Sequence, residues 1–486
     1  MMYKEKRLHP ATIFFNFLQF LKEFALPIIL GLFTLRGQAL LYLILILGAI
    51  FLVILSFSVA SWYRFTYRVE EEELRIEHGI FIRKKRYISI NRIQSINLTQ
   101  SVFHRLFKLV KVQVETAGGG EGAEVSLKAV TLQEGESLRA DIKAKPESIE
   151  HSTTEDVPTD YPSDKISVRR LFIAGTTSGS IGVLLAIFAF IISQAEQLIP
   201  DDFFDQSVQW IIGLSLTIII GLGIILLLVL WLLGIAGTMI KYGNFTITKY
   251  ENELFITRGL LEKKQITIPL KRIQAVGIDE SILRQPFGFA EVYVEVAGGS
   301  LEKGEDFSTV LYPILKREEI EAFLEKYLPN YKSPSEGLRT LPKRGMWYYL
   351  VRSSVLFLII AGVILHFLPQ FIWIAVLLLL IGWLYGFLKY KDSGYNIHNK
   401  RVTVRYRRGL SRSTIRIFHN RLQAVEIKQH KLERMQALAS VKLSIIGILG
   451  SGTHYHIKEM EDKEAERLFD WYSYRKQDEA KSNIYS

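Results

Sequence analysis

Long apolar stretches alternate along the chain with charged segments, and this alternation predicts the main elements of the fold. A helix needs roughly 20 apolar residues to cross about 30 Å of hydrocarbon. Six stretches approach or exceed that length and form three pairs: Thr12–Leu35 with Ala39–Ala60, Leu171–Ile192 with Val208–Ile240, and Trp347–Leu368 with Phe371–Leu388. We therefore predict three pairs of membrane-spanning helices.

The first apolar stretch differs from the others because it contains Lys22 and Glu23. Charges at the centre of a bilayer are costly and often functional. Either an interfacial helix precedes a short span, or the two charges lie at the membrane edge; we favour the interfacial interpretation. No small-residue cleavage site follows, so we expect an uncleaved anchor and not a signal peptide.

The segments between the apolar pairs show the alternation of half-buried strands, with glycines at turns. Examples are LRIEHG, YISINRIQSINL and VQVETA in the first such segment. Charged stretches with apolar residues at helical spacing follow, at Lys316–Leu328 and Lys458–Lys476. Each segment is therefore predicted to be a small β unit closed by one helix.

These β units are copies of one another. A glycine turn ends LRIEHG, LFITRG and VRYRRG, and the pattern [NK]-R-[IL]-Q follows at residues 91–94, 271–274 and 420–423. Nine residues after the motif arginine come SVFHRLFKL, SILRQPFGF and HKLERMQAL; twenty residues after it come VQV, VYV and VKL. The first two copies end in Ala-Gly-Gly, whereas the third has only Gly447 there. An internal triplication explains this spacing.

An apolar helix pair followed by a small unit with these motifs resembles the bacterial pleckstrin-homology-like (PH-like) domain of membrane proteins. The tripled arrangement resembles the three-copy, six-span members in Gram-positive bacteria, a family of unknown function. The resemblance implies an α+β membrane protein with three transmembrane helical hairpins, each followed by a cytoplasmic PH-like β-sandwich or barrel with a C-terminal helix. It implies a binding or scaffolding role and no known reaction.

On this basis the hairpins are placed at residues 1–63, 171–241 and 347–390, and the PH-like domains at 64–145, 242–329 and 391–476. Polar, Pro/Ser-rich segments are predicted to be linkers at 146–170 and 330–346, and a short tail at 477–486.

Composition and charge refine this picture. The 486 residues include no cysteine, which excludes disulfides, thiolate metal sites and cysteine nucleophiles. Lys and Arg number 60 against 49 Asp and Glu, yet the short connections within the three pairs hold one basic residue, Arg36, and four acidic ones. The positive-inside rule therefore places both termini and all PH-like domains in the cytoplasm of a multi-pass cell-membrane protein.

Basic clusters are the strongest binding candidates. Residues 389–421 hold ten Lys or Arg against one acidic residue, and Arg401, Arg405 and Arg407 share one strand face. Near anionic lipid each cation contributes about 1 kcal/mol; alternatively the face is simply solvated. The motif arginines either satisfy carbonyls at a sheet corner, which we favour, or contact a ligand. The candidate lipid- or partner-binding residues are Arg83, Lys84, Lys85, Arg86, Arg92, Arg272, Arg401, Arg405, Arg407, Arg408 and Arg421.

Catalytic and cofactor motifs are not found. The sequence contains no HExxH, GxSxG or phosphate-loop pattern. His454 and His456 would share a strand face, but no third metal ligand is evident nearby. We expect no enzyme activity, no cofactor and no nucleic-acid partner.

Two functions remain open. The first is a membrane scaffold that binds anionic lipid, a smaller PH-like-domain membrane protein or itself, as part of an envelope-protection complex. The second is a transporter or exporter of a hydrophobic or peptide substrate with regulatory PH-like domains. Ion transporters usually carry charged or broken helices at mid-membrane, and five of these six stretches have none, which favours the scaffold.

Overall fold

The computed structural model describes residues 5–34, 37–70, 73–116, 125–143, 161–178, 185–186, 189–190, 216–297, 308–332, 337–446 and 452–473. The predicted connection at 194–207, the repeated glycine pairs and the C-terminal tail lie outside these ranges. The chain divides into two compact units, and the boundary at Pro269 and Leu270 falls within the second repeat.

Seven strands are present in the described part of each repeat. The first has β1 Lys6–Arg7, β2 Thr66–Glu70, β3 Glu73–His78, β4 Lys84–Ser89, β5 Ile93–Gln100, β6 Leu109–Thr116 and β7 Val125–Thr131. The second has β8 Ser163–Lys165, β9 Thr246–Lys249, β10 Glu253–Arg258, β11 Lys263–Pro269, β12 Ile273–Glu280, β13 Phe289–Val296 and β14 Thr309–Lys316. The third has β15 Arg339–Thr340, β16 Gly394–His398, β17 Arg401–Arg408, β18 Ser411–Phe418, β19 Leu422–Lys428, β20 Leu438–Ile446 and β21 Gly452–Glu461.

The helices are α1 Ala11–Thr34, α2 Gln38–Arg64, α3 Val102–Leu106, α4 Leu132–Lys143, α5 Val168–Thr176, α6 Leu216–Tyr242, α7 Ile320–Tyr327, α8 Met346–Phe367, α9 Ile372–Asp392, α10 Lys431–Met435 and α11 Asp462–Tyr472. Within the described ranges four segments are long and apolar enough to cross a membrane: Leu41–Arg64, Ile220–Tyr242, Lys343–Phe367 and Pro369–Asp392. The first predicted span forms the 24-residue helix α1, which is not among these four. Most of the predicted span Leu171–Ile192 lies outside the described residues.

The apolar helices are inserted between neighbouring strands of a sheet. Within each repeat a short strand precedes the helices and pairs with the strand that follows them: β1 with β2, β8 with β9, and β15 with β16. The segments predicted as linkers therefore supply edge strands, Ser163–Lys165 and Arg339–Thr340. Both ends of the inserted helices are consequently tied to one sheet.

Sandwich cores are present in the first and third repeats. In the first, Leu74 and Ile88 from β3 and β4 pack in one cluster with Val112 and Leu127 from β6 and β7, and with Leu138 from α4. The third repeat has the same arrangement, in which residues of β17 and β18 cluster with β20, β21 and α11. The expected β-sandwich closed by a C-terminal helix is confirmed in these two repeats.

The repeats are joined by continuous sheets. One seven-stranded sheet has the order β7-β6-β5-β11-β10-β9-β8, and another has β14-β13-β12-β18-β17-β16-β15. The last three strands of one repeat thus continue into the first four strands of the next. Ala275 and Tyr293 of the second repeat also belong to the core cluster of the third. Strands of neighbouring repeats are therefore hydrogen-bonded to each other in both sheets.

Helices α8 and α9 approach closely at two glycines of α9. A Cβ atom on Gly386 would lie 2.8 Å from the Tyr349 carbonyl oxygen and 2.9 Å from Leu350 Cα, and one on Gly382 would lie 2.8 Å from the Phe357 ring. This agrees with the packing role suggested by the spacing of these glycines.

Gly386→Ala should destabilise the chain by about 1 to 3 kcal/mol, because the added methyl group forces the two helix backbones apart. Thermal unfolding in detergent measures the change. Gly362→Ala is the matched control, since a Cβ there meets nothing within 4 Å; alanine should leave stability unchanged or raise it by up to about 1 kcal/mol. Equal effects of the two substitutions would contradict the close approach at Gly386.

Candidate functional site

Exposed apolar side chains mark the same two places in every repeat. In the described β domains, all such large side chains except Tyr87, Tyr161 and Phe469 fall there. The first place is the Gly-turn loop, which joins β3 to β4 and its counterparts and exposes Phe81, Ile82, Leu260, Leu261 and Leu410. The second is the apolar turn, which follows β5 and its counterparts and exposes Val102, Phe103, Leu106, Phe107, Ile282, Leu283, Phe287, Leu432 and Met435.

A left-handed glycine shapes the Gly-turn loop. Gly79 has φ 115° and Gly259 has φ 105°, and a Cβ on either residue would lie about 2 Å from the carbonyl oxygen three residues later. Only glycine fits such a position. The turn leaves the next side chains outside the domain: Phe81 is 85% exposed and Ile82 is 74% exposed.

Each Gly-turn loop lies against an apolar helix of its own repeat. The Phe81 ring is 6.0 Å from the Phe57 ring of α2, and the Tyr385 hydroxyl of α9 donates to the Gly409 carbonyl at 2.9 Å. In the second repeat the Leu260 amide donates to the Ile240 carbonyl of α6. Phe57 and Tyr385 each lie seven residues before the last residue of their helix, which is about 10 Å along the axis. The loops therefore reach back alongside the apolar helices.

The apolar turn of the first repeat contacts α1. The rings of Phe103 and Phe14 meet edge to face at 5.6 Å, and the His104 ring stacks on Phe15 at 3.9 Å. His104 is held by Ser101 Oγ at 2.6 Å and by the Lys128 carbonyl at 2.9 Å. The start of α1 is thereby fixed to the β domain.

A mainly apolar groove with a few polar side chains opens beside the first Gly-turn loop. It has a volume of about 520 Å³ and is lined by residues that include Ser61, His78, Phe81 and Lys128. Lys128 Nζ donates to Asn16 Oδ1 of α1 at 2.6 Å, and burial lowers its pKa. An exposed apolar rim beside a groove that holds an ammonium group suits an amphiphile with an anionic head.

The predicted cluster Arg83–Arg86 lies next to this groove and is exposed. The side chain of Arg83 is 64% exposed and pairs with Glu77, and Lys85 Nζ lies 3.7 Å from the same carboxylate. The structure thus combines cations with the apolar loop, which the sequence analysis did not recognise as a binding element.

The predicted arginines of the third repeat are mostly engaged inside the protein. Arg407 is buried and donates to Asp392 Oδ2 at 2.8 Å and to Gln285 Oε1 at 2.9 Å. Arg405 donates to the Asp392 carbonyl and Arg401 to the Asn330 carbonyl, each at 3.0 Å. These three residues share a strand face as predicted, but they hold the end of α9 and neighbouring backbone. Arg408 is exposed.

The three motif arginines are not equivalent. Arg272 is buried and its Nε donates to the Ala297 carbonyl at 2.9 Å, as the carbonyl-satisfying interpretation predicts. Arg92 is exposed and Arg421 is half-buried. Of the histidine pair, His454 contacts Ser444 Oγ at 2.9 Å, and the described residues contain no group of three or more metal-ligating side chains.

The comparisons agree with this architecture. A family model described as a bacterial PH domain matches residues 21–146, 206–331 and 355–476, and the chain belongs to this family. It is 34% identical over 498 residues to the UPF0699 transmembrane protein YdbT of Bacillus subtilis strain 168, covering 98% of this chain and 100% of that protein. No solved structure matches.

Acidification should weaken the contact between α1 and the first β domain. Burial lowers the pKa of His104 below its ordinary 6.5, so the stability that the neutral ring contributes is present above pH 6.5 and is lost as the pH falls through the folded pKa. Thermal unfolding in detergent from pH 8 to pH 5 measures this loss. His104→Gln should flatten part of the dependence relative to the unsubstituted chain. Identical pH profiles for His104→Gln and the unsubstituted chain would contradict this role of His104.

Asp392→Ala should destabilise the chain by about 3 to 5 kcal/mol, because it leaves the buried Arg407 guanidinium without its carboxylate. The control Glu461→Ala removes the exposed partner of Arg344 and should cost less than about 1 kcal/mol. Unfolding of both full-length variants in detergent tests the difference. Similar losses for the two would show that Arg407 has other sufficient partners.

Proposed function

We propose that the chain is a non-enzymatic scaffold of the cell membrane, with its termini and PH-like domains in the cytoplasm. Its β domains bind the anionic inner leaflet through the Gly-turn loops and apolar turns, and they bind protein partners through their remaining surface. One observation carries this proposal: the exposed apolar side chains recur at the same two positions in all three repeats, and the loops lie beside apolar helices.

The energetics favour insertion of the loop into the interfacial region. Transferring Phe81 and Ile82 out of water gains about 1.5 to 3 kcal/mol for each fully buried side chain. The cations Arg83, Lys84 and Lys85 follow directly, and each adds about 1 kcal/mol near an anionic surface. A combination of apolar insertion and basic residues is typical of stable interfacial binding.

Contacts at the helix ends support helical hairpins in the first and third repeats, and we extend this arrangement to the second repeat, which gives six spans. Phe14 and Phe15, near the start of α1, contact the same β domain that follows the last residue of α2. In the third repeat, Arg352 of α8 pairs with Glu459 of β21, while Asp392 at the end of α9 pairs with Arg407 of β17. A helix pair with both outer ends at one domain must turn back on the far side of the membrane. The excess of Lys and Arg on the domain side favours a cytoplasmic location.

Arg83→Gln, Lys84→Gln and Lys85→Gln together should reduce retention of anionic lipid by about ten- to a hundredfold, since three cations at about 1 kcal/mol each are removed. The full chain is reconstituted with phosphatidylglycerol and phosphatidylcholine, and bound lipids are counted by native mass spectrometry.

The matched control also removes three cations: Lys249→Gln, Lys271→Gln and Lys400→Gln. These residues lie at the strand ends opposite the Gly-turn loops, so lipid retention should be unchanged. Equal retention by both triple variants would refute lipid binding at the first loop. Equal loss in both would mean that only net charge matters.

A further inference from the structure

The two junctions between repeats use one register. In the first, Lys264 of β11 lies opposite Thr99 of β5; in the second, Ser413 of β18 lies opposite Asp279 of β12. Residues of the second repeat follow those of the first by 180 positions, and those of the third follow the second by 149. Lys264 and Ser413 therefore occupy equivalent positions in their repeats, and so do Thr99 and Asp279. The pairing is a property of the repeat itself.

Two of the described strands lack this pairing. In the described sheets β4 ends the order β1-β2-β3-β4, and β19 begins the order β19-β20-β21. β4 is the counterpart of β11 and β18, while β19 is the counterpart of β5 and β12. Each chain thus has one strand edge of each complementary kind.

We propose that β19 of one chain pairs antiparallel with β4 of a second copy of the same chain, in the register of the internal junctions. That register places Val425 opposite Tyr87, Glu426 opposite Arg86, and Lys428 opposite Lys84. The exposure of these strands agrees with a missing neighbour. Tyr87 is 53% exposed, and Ala424 is exposed where its counterpart Ala275 is fully buried.

The charges on the two end strands explain why such pairing is selective. Sheet edges that are rich in lysine or arginine resist pairing with arbitrary strands, and β4 begins with three cations, Lys84–Arg86. Glu426 supplies an anion opposite Arg86, which favours this partner. At the position that Glu426 and Arg86 would occupy, the internal junctions hold neutral pairs: Asn97 with Ile266, and Gly277 with Ile415. Lys428 opposite Lys84 opposes association, so the contact between chains is weaker than the permanent internal junctions.

Pairing of unlike edges is head to tail, and it therefore builds a closed ring or an open row of chains. This inference deepens the proposed scaffold function, because it names a second copy of the chain as a protein partner. Only the role of the pairing in a scaffold rests on that proposed function; the strand pairing itself does not.

The absence of native cysteine makes the test direct. Two differently tagged full-length chains, one with Lys84→Cys and one with Lys428→Cys, are co-expressed, and their membranes are treated with a short thiol cross-linker. We expect a mixed dimer that neither chain forms alone. Glu426→Lys in the second chain should lower its yield about fivefold, and Arg86→Glu in the first should restore it.

Two controls define failure. A single chain with Thr99→Cys and Lys264→Cys reports the internal junction and should cross-link within itself, because the two residues lie opposite each other. In the second control the first chain carries Lys6→Cys in place of Lys84→Cys. Lys6 lies on β1, at the opposite edge of the sheet from β4, so this chain should give no mixed dimer. The proposal is overturned if the mixed dimer is absent while the internal control reacts, or if Lys6→Cys reacts equally.

A third experiment distinguishes pairing between two chains from pairing within one chain. If a chain carrying both Lys84→Cys and Lys428→Cys cross-links only within itself, the edges close inside one molecule and the second-copy proposal is wrong. Cross-linking measures the proximity of two strands, whereas the lipid test measures lipid retention. A negative result in either experiment therefore does not affect the interpretation of the other.

Discussion

Backbone amides and carbonyls at a sheet edge need hydrogen-bond partners, and this requirement organises the whole chain. Each PH-like repeat contributes strands to two sheets, and each of these sets of strands would end in an open edge if the repeat were isolated. In this protein the edge of β5 is covered by β11, and that of β12 by β18. Two potentially adhesive edges are removed at each junction. Neighbouring repeats thus complete each other's sheets.

The same sheets connect the repeats to the membrane. The strand before the apolar helices pairs with the strand after them, so the outer helix ends lie close to one sheet. Side-chain contacts strengthen this connection in the third repeat, where Asp392 at the end of α9 binds Arg407 of β17. In the first repeat the stacking of His104 on Phe15 has the same effect. In the first and third repeats the apolar helices are thus held to the β domains by side-chain contacts.

Much of this arrangement is predictable from local patterns. The period-2 alternation in VQVETA and LRIEHG is present as β6 and β3, and the shared face of Arg401, Arg405 and Arg407 follows from strand geometry. Their partners were not predictable, since Asp392 and Asn330 come from other elements. The junctions were also missed, because a strand has the same alternation whether its edge is covered or open. The sequence does distinguish a covered strand from an open one. IQAVGIDE in β12 has no charged residue among its first six residues on either face, whereas LQAVEIK in β19 carries charged residues on one face.

The first Gly-turn loop was missed for a related reason. Phe81 and Ile82 resemble strand residues in the sequence, and only the left-handed Gly79 turns them outward. Their position links the two proposed activities, because the cations that follow the loop begin β4. Partner pairing would bring Glu426 next to Arg86, beside the proposed lipid-binding cations. Bound anionic lipid and a paired strand must then influence each other's affinity to the same extent, by linkage. Scaffold assembly would then depend on the lipid composition of the leaflet.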